Sequence, residues 1–257
     1  MQLQARSTDK LSKWCLLPLL CHQLSAATLT LPAVSDTSLF ENKPDSNLGA
    51  TTLVSGTNHK YSRSRGLFQF DLTSLPSGIV VTQVEVRLHV TRQPDPDQPP
   101  GPVASDFSLH RMWVSWGEGI GSSLTGSVAA AGDATWNERH FANTPWGTPG
   151  GLIGTDYAEN PSSTTSIGDV GAYVWGSSST LIEDVQTWVN DPAANFGFIL
   201  VNESEGTLGS GRRFASTEQS DNLSPAPELV ITYLIPEPSA AALLMLTLAA
   251  AAFRRGR

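Results

Sequence analysis

The chain has 257 residues, of which 40% are hydrophobic and 16% charged, and its formal net charge at pH 7 is −8. The low charged fraction with an ordinary apolar fraction excludes a disordered acidic tail and a coiled coil. Two cysteines are too few for a disulfide scaffold, and the negative charge argues against a nucleic-acid partner. This length accommodates one large all-β domain.

Residues 1–27 have the pattern of a secretory signal peptide. A basic start precedes a short apolar run from Trp14 to Cys21, and small residues, Ser25 and Ala27, stand at positions −3 and −1 of a cleavage site after Ala27. A buried core helix is the alternative interpretation. Cleavage would remove both cysteines, so the exported domain would be held together by its core alone.

Strand patterns dominate residues 28–235. Apolar residues at every second position from Val84 to Val90 predict a half-buried strand, and further strands are expected at 67–71, 107–114, 196–201 and 228–233. Only 180–190 has helical apolar spacing, and Pro192 ends it. We therefore predict an all-β domain, an antiparallel β-sandwich of jelly-roll type with long loops and one short helix.

An early acidic segment offers oxygen atoms for a metal ion. It contains Asp36, Glu41, Asp45 and Asn47 within one short stretch of the sequence. Calcium binds six to eight such oxygens, so a structural calcium site is predicted here, with a solvated acidic loop as the alternative. No other cofactor is expected.

Two tryptophans and four arginines are candidate carbohydrate-binding residues. Trp146 and Trp175 lie among Gly and Ser with few apolar neighbours, so they could present exposed rings to the C–H faces of sugars. Guanidinium groups bind the carboxylates of an acidic polysaccharide in pairs of hydrogen bonds. The four arginines are Arg63, Arg65, Arg212 and Arg213, the last two having a protective strand-edge role as the alternative.

Catalytic patterns are weak. The sequence contains no Gly-x-Ser-x-Gly, no His-Glu-x-x-His and no Gly-rich phosphate loop with Lys. His140, with Arg139 or Tyr157, could supply the base and cation of a polysaccharide lyase, whereas a solvated turn is the alternative. The spacing of the carboxylates singles out no pair for a glycosidase.

The C-terminus has three parts in order. Pro236, Glu237 and Pro238 precede an uncharged apolar run over 240–253 and an arginine-rich end. The run is short for a membrane span, although the terminal charges fit the positive-inside rule. This tail resembles the PEP-CTERM sorting signal, which implies processing by an exosortase-type enzyme at the membrane and localisation in the envelope or extracellular matrix of a Gram-negative bacterium. An ordinary anchor helix is the alternative.

The region between the signals resembles the bacterial DNRLRE domain over nearly its whole length. The matching blocks follow in order: Ser35–Thr37, Asn47–Gly49, Gly66–Leu72, Leu75–Pro76, the strand at Val84, Trp116–Gly119, Ala134–Asn137, Trp146 with Gly150–Gly151, Tyr173–Trp175, Asp184–Trp188, Asn195–Gly197, Phe214–Glu218 and Pro227–Tyr233. The resemblance implies a jelly-roll sandwich, and relatives include modules that bind uronic-acid polymers such as alginate. Thr217 stands where the family usually has Arg, so any internal ion pair of that Arg would be missing here.

These observations together predict an exported, non-catalytic surface or matrix protein with a carbohydrate-binding type of β-sandwich, associated with exopolysaccharide. A polysaccharide lyase or hydrolase on the same scaffold is one alternative, and a purely structural envelope or adhesion protein is another. The region between the signals keeps 10 of the 16 basic residues and 22 of the 24 acidic ones. Binding to a polyanion would therefore depend on local cations rather than on the overall field.

Overall fold

Strands account for most of the regular structure in the computed structural model of the protein, which describes residues 25–221 and 223–236. The strands are β1 (Ser25–Phe40), β2 (Ser46–Asn47), β3 (Leu53–Thr57), β4 (Arg63–Phe70), β5 (Val80–Arg92), β6 (Ser105–Arg111), β7 (Ser127–Val128), β8 (Glu138–His140), β9 (Thr144–Pro145), β10 (Ser163–Ile167), β11 (Gly171–Trp175), β12 (Phe198–Asn202), β13 (Arg212–Phe214) and β14 (Glu228–Ile235). One α-helix, α1 (Ser179–Asn190), precedes a 3-10 turn at Pro192–Ala194. The predicted all-β fold with one short helix is confirmed.

The larger strands form two antiparallel sheets. Sheet A contains the first half of β1, followed by β14 and β5. One edge of β5 pairs with β14 and then with β13, which leads on to β3, and the opposite edge of β5 pairs with β11. Sheet B contains the second half of β1, followed by β4, β12, β6 and β10. β1 passes from one sheet to the other where its register shifts between Ala33 and Ser35. At the opposite edge the Thr165 hydroxyl of β10 donates to the Val174 carbonyl of β11 over 2.7 Å.

The main core lies between the two sheets. The alternating residues of β5 behave as predicted, because Val84, Val86 and Val90 are fully buried while Arg87 is exposed. Helix α1 begins at the cap residue Ser178, whose hydroxyl accepts from the Leu181 amide over 2.9 Å, and it buries Leu181, Val185 and Trp188. The helix thus packs its apolar face into the main core, as its apolar spacing predicts.

A second apolar cluster covers the outer face of sheet B. Strand alternation turns Phe68 and Leu200 toward the main core and their neighbours Leu67 and Ile199 outward. The long segment 112–162 folds back over this outer face and packs side chains against it, including Trp136, Trp146 and Tyr157. Both faces of sheet B are therefore buried. No helix among the described residues is long and apolar enough to cross a membrane.

Candidate functional site

A surface groove of about 590 Å³ opens on sheet A where β3, β13 and β5 lie side by side. Its floor is a cross-strand row, because Arg213 is paired with Val54 on one side and with Arg92 on the other. Directly paired residues of neighbouring strands share a face of the sheet. Four segments form the walls, and their lining residues are Phe40, Asn42 and Lys43, then Asn58, His59 and Lys60, then Gln93, Pro94, Asp95 and Gln98, and finally Leu124 and Thr125.

The groove carries positive charge in an acidic chain. Lys43, Lys60, Arg92 and Arg213 line it beside the buried Arg212, and Asp95 is the one carboxylate among its described lining residues. Within the described part of the chain, none of the four cations forms an ion pair. Their charges are therefore available to an anion from outside.

Arg92 and Arg213 are the central pair of this groove. Like charges directly opposite each other on adjacent strands are destabilising. Partial burial, together with the neighbouring charge of Arg92, lowers the pKa of Arg213. An anion bound between the two guanidinium groups would remove this repulsion, and each group can bind a carboxylate through two hydrogen bonds.

The rest of the lining suits hydroxylated rings. Amide side chains of Asn42, Asn58, Gln93 and Gln98 can donate and accept hydrogen bonds. Apolar surface comes from the Phe40 ring and from aliphatic side chains, namely Val54, Pro94 and Leu124. A volume of this size lies within the range of about 300–1,000 Å³ that is usual for ligand sites.

Two of the four predicted binding arginines, Arg63 and Arg65, are held in internal ion pairs. The Arg63 guanidinium donates two hydrogen bonds of 3.1 and 2.7 Å to the Glu41 carboxylate. The Arg65 guanidinium likewise donates two hydrogen bonds, of 2.8 and 2.7 Å, to the Glu205 carboxylate. Both guanidinium groups also lie against the ring of Trp136, at 5.2 and 5.7 Å from its centroid. Arg65 is buried and stabilises the fold beneath segment 112–162, whereas Arg63, whose side chain is 39% exposed, is paired with Glu41.

Arg212 has a structural role as well. It is 1% exposed, and its guanidinium donates to four backbone carbonyls between 2.7 and 3.0 Å away, those of Val103, Gly168, Gly209 and Gly211. Burial lowers its pKa. Of the four predicted arginines, Arg213 alone is positioned to bind in the groove.

The expected exposure of Trp146 and Trp175 is wrong. Trp146 is 4% exposed and donates its indole N–H to the Thr135 carbonyl over 2.9 Å. Trp175 is fully buried and donates to the Phe107 carbonyl over 2.7 Å. The apolar neighbours that bury these rings come from distant segments, so neither ring offers a platform to a sugar.

The four predicted calcium ligands do not converge. The Asp36 carboxylate accepts from the Thr217 amide, Glu41 binds Arg63, and Asp45 accepts from the Asn137 side chain over 2.8 Å. The Asn47 side chain is held by four backbone hydrogen bonds. In the described ranges no group of three or more His, Cys, Asp or Glu is arranged to hold a metal. These residues therefore do not form the predicted site.

The candidate catalytic residues belong to two separate hydrogen-bond groups. The Tyr157 hydroxyl accepts from Arg65 over 3.3 Å, and its ring contacts His110. His140 instead lies 3.1 Å from the Ser115 hydroxyl oxygen, which also accepts from Arg139 over 3.2 Å. The structure therefore brings His140 and Arg139 together at Ser115 and places Tyr157 in the other group.

The terminal predictions lie at the border of the described chain. Ala27 is the third residue of β1 and is paired with Tyr233, so the predicted cleavage point falls within a strand. Pro236 follows β14, whereas Glu237, Pro238 and the apolar run lie outside the described residues.

Sequence reasoning missed most of the groove. Lys43, Lys60 and Arg92 were not singled out, because each lies in a different segment and nothing in the local sequence relates one to another. The sequence contains one signal that could have pointed to Arg92 as a residue at the end of a strand. It closes the alternating pattern just before Pro94, where the chain must leave the sheet. No family model matches the chain, and no curated protein shows significant similarity to it.

Proposed function

We propose that this protein binds an acidic polysaccharide in the groove of sheet A as a non-catalytic, exported surface or matrix protein. The observation that carries the proposal is the excess of cations in the groove that form no ion pair with any described residue, in a chain whose net charge is −8. Because the overall field repels polyanions, a local cluster of this kind points to specific recognition rather than general attraction.

The chemistry of the lining favours a uronic-acid polymer over a neutral glycan. Arg92 and Arg213 supply paired donors for carboxylates, and the lysines at the walls, Lys43 and Lys60, extend the positive charge along the groove. The amides provide partners for ring hydroxyls, and Phe40 provides an apolar surface for a sugar face.

Hydrolysis is supported less well than binding. A glycosidase places two carboxyl groups on either side of the bond it cleaves, about 5–10 Å apart. Among the described residues that line the groove, Asp95 is the one carboxylate. A lyase is the second candidate function, because His59 lies at the wall of the groove beside Lys60 and the two could supply a base and a cation.

The binding proposal is tested by titrating the protein with oligomers of a uronic acid and, in parallel, with neutral oligosaccharides of equal length. We expect calorimetric binding of the acidic oligomer that weakens as salt is raised, since exposed charge pairs are screened. Arg92→Ala and Arg213→Ala should each reduce the affinity at least tenfold.

Arg87→Ala is the matched control, because Arg87 is an exposed arginine of the same strand that pairs with Glu85 outside the groove. Its affinity should equal that of the unaltered protein. Equal binding of neutral and acidic oligomers, or equal effects of all three substitutions, would refute the proposal. Release of unsaturated sugar products on incubation would instead establish the lyase alternative.

Export and sorting form a separate proposal that rests on the two ends of the sequence. We propose cleavage after Ala27, and recognition of residues 236–257 by an exosortase-type enzyme during attachment to the envelope. Deleting residues 236–257 should move the protein into the medium. An unchanged location, together with an unprocessed C-terminal mass in the full chain, would contradict the sorting proposal.

A further inference from the structure

A second cavity, of about 320 Å³, is lined by the end of β4 and the residues after it, by the C-terminal part of α1 and by the turn that follows the helix. None of its lining residues lines the groove of sheet A. The volume is at the lower end of the range of about 300–1,000 Å³ that is usual for ligand sites. The cavity therefore suits one sugar ring rather than a length of polymer.

Trp188 of α1 borders this cavity and carries a buried hydrogen-bond donor without an acceptor. Its side chain is fully buried, and no described residue accepts a hydrogen bond from its indole Nε1. Trp175, the other fully buried tryptophan in the described chain, donates its N–H to the Phe107 carbonyl. Buried polar groups almost always have a partner, and one without a partner is costly. Because Trp188 borders the cavity, a ligand there can supply the acceptor.

Hydrogen bonds fix the polar walls of the cavity. The Gln69 side-chain nitrogen donates to the Asn195 carbonyl over 2.6 Å, and the Asn195 side-chain nitrogen donates to the Phe70 carbonyl over 2.8 Å. The Asn195 side-chain oxygen in turn accepts from the Gly197 amide over 3.2 Å. These bonds tie the end of β4 to the turn after α1, so both sides of the cavity are held in place before a ligand arrives.

Asp71 supplies a carboxylate at the exposed side of the cavity. Its Oδ1 accepts from the Thr73 amide over 2.9 Å, and hydrogen bonding from Thr73 lowers the pKa of Asp71. No lysine, arginine or histidine is among the described residues that line the cavity. A carboxylate can accept about four hydrogen bonds, so Asp71 has capacity for hydroxyl groups of a ligand. The lining thus favours a neutral, hydroxylated ligand over an anion.

The buried side of the cavity favours a carbonyl oxygen. Phe70 and Leu72, which line it together with Trp188, are buried apolar residues. A hydroxyl next to the Trp188 indole would bring a proton that needs its own acceptor, whereas a carbonyl oxygen only accepts. A methyl group beside that carbonyl would gain apolar contact with Phe70 and Leu72. An acetamido group has both parts.

We propose that this cavity binds the acetamido group of a neutral N-acetylated sugar, whose carbonyl oxygen accepts from Trp188 and whose ring hydroxyls donate to Asp71. The protein then recognises two different sugars at two separate places, an acidic one in the groove of sheet A and an acetylated one here. This second site does not depend on the first, because the two share no lining residue.

The test follows the indole N–H signal of Trp188 by NMR while the protein is titrated with N-acetylglucosamine, glucose or glucuronate. We expect the signal to shift and to saturate with N-acetylglucosamine, because its N–H gains an acceptor. Glucose has a hydroxyl in place of the acetamido group, and glucuronate adds a negative charge, so neither should shift the signal.

Two variants and their controls locate the site. Trp188→Phe and Asp71→Ala should each weaken the affinity for N-acetylglucosamine about tenfold, which corresponds to the loss of one hydrogen bond. Trp175→Phe is the matched control for the buried tryptophan, and Asp106→Ala, at an exposed aspartate of β6, is the control for Asp71. Both controls should bind like the unaltered protein. Arg92→Ala should do so as well, which separates a failure at this cavity from a failure at the groove.

The exposed position of Asp71 keeps the proposal testable if Trp188→Phe does not fold. Unchanged affinity of Asp71→Ala, a Trp188 signal that does not move at saturating N-acetylglucosamine, or an equal shift with glucose would overturn the proposal. Tighter binding of N-acetyl-lysine than of N-acetylglucosamine would also overturn it, because the ligand would then be an acetylated peptide rather than a sugar.

Discussion

Replacing Arg65 with Met should destabilise the domain strongly without acting on the groove. Arg65 is 9% exposed and makes two hydrogen bonds with Glu205, and its remaining donor reaches the carbonyls of Gly150 and Gly151 at 2.9 and 3.2 Å. Removing one partner of a buried ion pair costs about 3–5 kcal/mol, because the other charge is left uncompensated. Against a total stability of about 5–15 kcal/mol for a typical domain, that is a large fraction.

Urea unfolding followed by tryptophan fluorescence measures this loss. Arg87→Met is the control, since its ion pair with Glu85 is between 41% and 47% exposed and should contribute at most about 1 kcal/mol. The double variant of Arg65→Met with Glu205→Met should recover at least half of the loss, because an apolar pair of similar volume removes the stranded charge. If Arg65→Met costs no more than Arg87→Met, the structural role assigned to Arg65 is wrong.

Three further outcomes are expected. Trp175→Phe keeps the apolar bulk but removes the indole N–H that donates to the Phe107 carbonyl. The free energy of unfolding in urea should therefore fall by about 1–3 kcal/mol, while the affinity for acidic oligomers stays unchanged. Arg212→Met removes the hydrogen-bond donors of four carbonyls, so the free energy of unfolding should fall by about 3 kcal/mol or more. Arg213→Ala should instead reduce the affinity for acidic oligomers and change the stability little. Burial lowers the pKa of His110, so folding disfavours its charged form. Relative to His110→Gln, the melting temperature should therefore fall as the pH decreases from 7 to 5, and a parallel profile would contradict this.

Local pattern was sufficient to predict the helix and five of the fourteen strands in the described chain, namely β4, β5, β6, β12 and β14. The alternation from Val84 to Val90 and the helical spacing from Leu181 to Trp188 were correct, because each element buries its own apolar face in the main core. The five residues of β11 also alternate, with Tyr173 and Trp175 inward, so the burial of Trp175 could have been found by the same rule.

The site could not be derived in the same way. Arg65 has its partner 140 residues away at Glu205, and nothing near Arg65 in the sequence distinguishes it from a free arginine. Trp146 seemed exposed because its neighbours along the chain are polar, while the cluster that buries it combines sheet B residues such as Leu67 and Ile199 with other parts of segment 112–162. Arg92 and Arg213 become neighbours only through strand pairing between distant segments.

The division of β1 between two sheets has a consequence for the order of folding. Its second half pairs with β4, which follows within the same part of the chain, whereas its first half pairs with β14, the last described strand. During synthesis, residues 25–32 therefore lack their partner until residues 228–235 have emerged, and contacts of such long sequence separation form slowly. Sheet A is therefore completed last. In a nascent chain halted before β14, the first half of β1 and the facing edge of β5 would both lack the strand that pairs with them.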